Sequence, residues 1–222
     1  MTTAYQPPTL GSIEQLRAGH LPSRVAQLVV GLVLYGFTMA LMVRADLGLD
    51  PWDVFHQGAA KHVPLSFGQV VIVTGALVLL LWVPLRQVPG LGTVLNVIII
   101  GLAADAGLAL VERPDELWVR IVLMVGSVIG NGLAAALYIG AHLGPGPRDG
   151  LWLALLRRTS LSVRILRTAI ELTVLVVGFA LGGTVGVGTV LYAVLIGPAM
   201  QFFLPFTQAR LAPRQPGDRA AG

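Results

Sequence analysis

The polar residues of this chain that could do chemistry are few, and they stand in a matched pattern. Asp50-Pro51-Trp52-Asp53 sets two carboxyls around a proline, and the frame returns at Gly146-Pro147-Arg148-Asp149. As a helix start the first copy is well chosen. Asp50 can cap free amides, Pro51 fits the first helical position, and Asp53 complements the positive end of the helix dipole. Such a helix can lie capped at a membrane surface. Alternatively it can be a half-helix whose N-terminus faces an anionic solute, so Asp50, Asp53 and Asp149 are candidates for a solute or ion pathway. Two further carboxyls sit inside long apolar stretches, Asp105 and Glu171. An ionisable group in a membrane segment costs several kcal/mol, about 2.5–3.5 on insertion scales, unless paired or hydrated, which makes both site candidates. Glu171 has Arg167 four residues before it, the spacing of a helical ion pair. Asp105 is matched 96 positions later by Gln201, the pair expected where two related helices meet at a central cavity.

The elements that must position these residues follow from composition. Of 222 residues, 55% are hydrophobic and 12% charged, against about 25% charged in soluble domains. A span needs about 20 mostly apolar residues. Such runs occur at Val25–Val43, Phe67–Leu85, Gly90–Val111 and Ile121–Ala141, and a long charge-free stretch, Leu172–Ala209, holds two more if Gly182-Gly183-Thr184-Val185-Gly186 forms a turn. The fifth span then begins near Arg167 and the sixth covers Val187–Phe206. The segments after Pro51 and Pro147, 51–62 and 147–158, are too short to span and read as half-helices or interfacial helices. Met1–Ser23 is polar, with Pro7, Pro8 and Pro22, and lacks signal-peptide architecture.

Lys and Arg accumulate in cytoplasmic loops. With the N-terminus inside, eleven arginines fall on the inner side, including Arg86, Arg148, Arg157, Arg158, Arg164, Arg210, Arg214 and Arg219; only Arg44, Lys61, Arg113 and Arg120 fall outside. Both termini are therefore expected in the cytoplasm of a cell membrane protein.

A shift of 96 residues aligns 24–108 with 120–204 without a gap, with 24 identities in 85 positions, where chance gives about one in ten. The identities cluster at Leu47-Gly48-x-x-Pro51-x-Asp53 over Leu143-Gly144-x-x-Pro147-x-Asp149, and at Gly90-x-Gly92-Thr93 over Gly186-x-Gly188-Thr189. Duplication explains this. Three spans per copy is an odd number, so the second copy must be inverted. The expected organisation is all-α: a cytoplasmic tail at 1–23, a first three-helix repeat at 24–111, an outer connection at 112–119, an inverted repeat at 120–206, and a basic cytoplasmic tail at 207–222. Gly48, Gly92, Gly144 and Gly188, with Thr93 and Thr189, read as structural: turns and close approach at helix starts.

Several functions are disfavoured. No Lys follows the glycines as in a phosphate-binding loop, and no strand flanks Gly144-Pro-Gly-Pro-Arg-Asp-Gly150. His-Glu-x-x-His and Gly-x-Ser-x-Gly are missing, and the four histidines are scattered. Zero cysteines exclude disulfides, thiolate metal sites and iron–sulfur clusters. No enzyme, metal site, cofactor or nucleic-acid partner is expected; the lipid bilayer and a small-molecule substrate are.

The stretches Ala45-x-Leu47-Gly48-x-x-Pro51-Trp52-Asp53 and Gly90-x-Gly92-Thr93, with their second-copy counterparts, resemble the YczE/YitT-like family of bacterial membrane proteins over about 24–206. The resemblance implies a multi-pass protein of the cytoplasmic membrane and transfers no catalytic residue. The second copy departs from the first where Gly146 and Arg148 replace Asp50 and Trp52. Two functions stay open: a secondary-transporter-like permease for a small solute, and a membrane accessory protein that binds a partner through its basic inner face.

Overall fold

The computed structural model describes residues 11–209 and 211, and among these the chain is helical with no strand. A short α1 (Ser12–Arg17) precedes α2 (Leu21–Ala45), α3 (Pro51–Ala60), α4 (Phe67–Trp82) and α5 (Leu91–Leu110). Then follow α6 (Leu117–Gly140), α7 (Pro147–Leu156), α8 (Val163–Ala180) and α9 (Val187–Thr207). The glycine-rich 182–186 segment is the connection between α8 and α9, as expected. The expected outer connection is shorter than 112–119, because α6 already starts at Leu117. Residues 1–10 of the expected N-terminal tail, and Arg210, Arg214 and Arg219 of the C-terminal one, lie outside the described residues.

Four helices, α2, α5, α6 and α9, are long and apolar enough to cross a membrane. The other two expected spans fall short of that standard. At 16 residues α4 is about 24 Å long against a hydrocarbon core of about 30 Å. The 18 residues of α8 carry Arg164, Arg167 and Glu171. All six nevertheless turn large apolar side chains outward: Val30, Leu77, Leu102, Val122, Val176 and Val190, one on each, are more than half exposed. Water would penalise that surface; lipid does not.

The centre of the bundle is α2, which packs on both α5 and α6, while α6 packs on α9. Small residues allow the approach: a Cβ on Gly36 would stand 2.3 Å from the Ile100 carbonyl oxygen of α5. In a lipid environment such close backbone contact, rather than water exclusion between helices, drives association. One apolar core joins Leu28, Leu32 and Met39 of α2 to Ile100 and Ala104, and a second joins Met42, Ala45 and Leu49 to Met124 and Val128 of α6.

The helices run between two ends. At one, Ser12 donates to the Pro89 carbonyl, Arg158 to that of Pro84, and the buried Arg24 to the Ala141 and His142 carbonyls that follow α6. At the other, Lys61 donates to the Gly182 carbonyl, and Arg120 to the Ala45 and Asp46 carbonyls at the end of α2. Arg24 and Arg120 are 96 residues apart, and so are the carbonyls they hold. The same offset relates Gly188 N–H donating to Leu47 O (2.8 Å) and Gly92 N–H donating to Leu143 O (2.7 Å).

The two short helices do not cross from end to end. From Asp46, Leu47–Asp50 carries the chain inward by at most about 13 Å, and α3 returns it by about 15 Å to Lys61 at the same end. The segment from His142 through α7 to Arg157 does likewise at the opposite end. Both inward turns need a left-handed residue, Gly48 at φ +115° and Gly144 at φ +118°, which a β-carbon would strain. Each short helix packs on the other copy's helix, α3 on α8 and α7 on α4. Val54 O would lie 2.0 Å from a Cβ at Gly183, and the Trp82 ring 1.9 Å from one at Gly150.

Candidate functional site

The N-termini of α3 and α7 meet between the two ends. Asp50 caps α3, accepting from Trp52 N–H at 2.9 Å and Asp53 N–H at 3.3 Å. Opposite, Gly146 occupies the cap position of α7 and offers no side chain. Arg148, in the first turn of α7, reaches across: its guanidinium is 3.8 Å from Asp50 and 4.0 Å from Asp53, and it lies over the Trp52 ring at 5.0 Å. The planar cation thus stacks on an aromatic face while facing two carboxyls. His56, one turn along α3, has Nδ1 3.1 Å from Asp53 Oδ1. Since a carboxylate only accepts, the imidazole donates this bond.

Beside this cluster is a cavity of about 1080 Å³. It reaches from Ser12, Gln87 and Arg157, at the α1 end, down to Asp50, Trp52 and Arg148. Its walls are aromatic and amide. Tyr138 donates to Asp149 at 2.8 Å, and Tyr192 donates to Asn131 at 3.0 Å while Asn131 donates to Thr38 at 3.1 Å. Apolar walls with a few convergent polar groups are the usual makeup of a small-molecule site. At its α1 end the cavity meets His142, whose imidazole is pushed below its ordinary value by burial and then by the adjacent Arg24 guanidinium.

The expected site residues separate into three groups. Asp50, Asp149 and Glu171 line the cavity, and Asp53 lies sealed directly behind Asp50. Glu171 accepts from Arg167 at 2.8 Å, the four-residue ion pair expected of it. Asp105 and Gln201 require correction, because neither lines the cavity. Asp105 accepts hydrogen bonds from Ser66 Oγ and, at 2.7 Å, from Gly68 N–H, so it caps α4 at the Lys61 end. Gln201 is exposed on α9. Aligning the two copies paired them by position, but the face each helix presents is decided by packing. The structural residues behave as a set: Thr93 and Thr189 accept from Gly90 N–H and Gly186 N–H, both at 3.2 Å, and Thr93 also donates to Pro145 O at 2.7 Å. Gly92 and Gly188 admit the backbones of Leu143 and Leu47. Sequence reasoning missed Arg148, His56, Tyr138 and Tyr192 as site residues. The signal was available for Arg148, an arginine replacing tryptophan inside the repeated motif.

Apolar faces turned outward around a polar, cavity-lining interior define an integral membrane protein of several passes. The chain belongs to the family of unknown function DUF6198, whose profile matches residues 22–205. An uncharacterized protein of Haemophilus influenzae is 38% identical over 180 residues, 81% of this chain and 83% of that one. The uncharacterized membrane protein YczE of Bacillus subtilis is 33% identical over 177 residues, 79% and 82% of the two chains. The uncharacterized protein YyaS of the same organism is 23% identical over 183 residues, 81% of this chain and 91% of that one. No solved structure matches the chain.

Proposed function

We propose that this protein is a secondary-transporter-like permease for a small solute and not an enzyme. In this reading residues 24–111 and 120–206 are inverted repeats of three membrane-crossing helices, and α3 and α7 are re-entrant half-helices entering from opposite faces. The observation that carries the proposal is the cavity of about 1080 Å³ ending where these two N-termini meet. Inverted-repeat carriers place their sites at broken helices near the midplane, because only there can irregular backbone be satisfied away from water. The short spans suit it too. A 16-residue α4 can end within the bilayer because α7 covers its Trp82, whose indole N–H donates to Pro147 O at 3.1 Å. The α1 end carries Arg17, Arg86, Arg157 and Arg158, so the positive-inside bias sets it in the cytoplasm, with the cavity open inward.

The test is counterflow in liposomes loaded with amino acids, organic acids, amines, sugars or nucleosides. At least one class is expected to exchange, and labelling Asn96→Cys in the cavity wall with a bulky maleimide is expected to stop it. Exchange of no class, in protein shown to be folded, favours the accessory protein that binds a partner through its basic face.

A further inference from the structure

The carboxyl pair behind the cavity holds more negative charge than its surroundings compensate. Asp53 is wholly buried, and Asp50 is 4% exposed. They share one guanidinium, that of Arg148, at ion-pair distances too long for hydrogen bonds. Within Asp53 the two oxygens differ. Oδ1 accepts from His56, whereas Oδ2 is buried with no hydrogen-bond partner among the described residues. The remaining titratable groups around the pair are Tyr35 of α2, Tyr192 of α9 and, across the cavity, Asp149 of α7 with the Arg167–Glu171 ion pair of α8. α4 contributes the Phe67 ring, which with Phe55 and Trp52 surrounds His56. None of these adds a second cation beside the pair. With both carboxyls ionised and His56 neutral, Asp50, Asp53 and Arg148 sum to one uncompensated negative charge. Such a charge away from water is costly. One proton removes it.

We infer that Asp50 and Asp53 form a site that binds one proton between them, and that the bound proton is the coupling ion of the permease proposed above. The inference rests on that reading for the coupling but not for the binding. The proton comes from solvent by way of the cavity, which Asp50 lines. One H⁺ is added, one negative charge disappears, and no other bond changes. Protonation also releases Arg148 from one of its two carboxyls, so the guanidinium becomes available to an acceptor group of the solute. That links solute and proton occupancy through a single side chain.

Infrared difference spectroscopy of the purified protein in lipid nanodiscs, between mildly acidic and alkaline pH, tests the binding. The parent is expected to show a carboxylic-acid carbonyl band that titrates and shifts in heavy water. Asp53→Asn is expected to lose it, and Asp105→Asn to keep it. Should Asp53→Asn not fold, Arg148→Gln supplies the second variant: removing the cation is expected to strengthen the band at neutral pH. A band absent from the parent, or unaltered in both folded variants, overturns the proposal. Counterflow on the same preparation separates the two claims. A titrating band without solute exchange leaves the proton site standing and removes the permease; exchange whose rate is independent of a pH gradient removes the coupling.

Discussion

At the scale of single residues, the side chains that matter most for stability are those that the two copies exchange. Arg24, 1% exposed, donates to four carbonyls, those of Gln15, Gly19, Ala141 and His142. Hydrogen bonds to a charged group contribute about 1.5–3 kcal/mol each in mutational series, and a buried carbonyl left without a donor is penalised further. Arg24→Ala is therefore expected to destabilise by about 3 kcal/mol or more, read as thermal unfolding in detergent. Arg24→Lys should not restore the loss, because one ammonium cannot reproduce the guanidinium fork. Gly48 is constrained differently, by its φ of +115° and by Gly186 N lying 2.6 Å from where a Cβ would stand. Gly48→Ala is expected to cost more than the roughly 1 kcal/mol that separates Gly from Ala in ordinary helix positions, and in the opposite direction. Gly126, with nothing within 4 Å of its Cβ position, is the control: Gly126→Ala should hold or raise stability in the same unfolding assay.

At the scale of elements, the asymmetry between α3 and α7 is the feature with consequences. Asp50 satisfies two amides of α3, whereas α7 begins at Gly146 with no side-chain cap. Replacing an N-cap carboxyl with alanine costs about 1 kcal/mol, so Asp50→Ala is expected to loosen α3 while Asp50→Asn, which still caps, leaves it folded. Hydrogen exchange of the Trp52 and Asp53 amides checks this directly. If exchange there is unchanged in Asp50→Ala, the cap contributes nothing and α3 is held by its packing on α8 and α4. The α7 helix depends instead on the Trp82 indole, which covers Gly150 and donates to Pro147. Trp82→Phe keeps most of that surface and removes the donor, so a modest loss of about 1 kcal/mol is expected.

At the scale of the whole molecule, the contacts of α3 with α8 and of α7 with α4 mean that each short helix is covered in part by a helix of the other half of the chain, besides its contact with α4 or α8 of its own half. An isolated 24–111 fragment is therefore expected not to fold in detergent, and co-expression with 112–222 to restore a complex that copurifies. Orientation has a clean assay because the chain has no cysteine. His62→Cys and Thr159→Cys, both at exposed positions, are expected to react with a membrane-impermeant maleimide from opposite sides of the membrane. Reaction from the same side would rule out inversion of the second copy.

Much of this was legible in one chain read alone, for reasons that can be named. Bilayer thickness imposes a minimum apolar length, so the runs that hold α2, α4, α5 and α6, and the stretch that holds α8 and α9, stand out in composition alone. Tight turns demand particular residues, so Gly48, Pro51, Thr93 and their counterparts at 96 residues' distance stand out by recurrence. The ion pair of Arg167 and Glu171 is local, within one helix, and spacing suffices to find it. Tertiary structure alone decided what lies across from what. Asp105 and Gln201 are equivalent in the alignment, yet one caps α4 and the other is exposed, because the azimuth of a helix is set by which small residues its neighbours bring against it. Arg24 and Arg120 read as loop charges marking topology, yet their donors hold the carbonyls that end the opposite copy's first helix. The meeting of Asp50, Asp53, His56 and Arg148 joins residues up to 98 positions apart. No local spacing encodes that meeting, which exists because two helix starts enter the bundle from opposite ends.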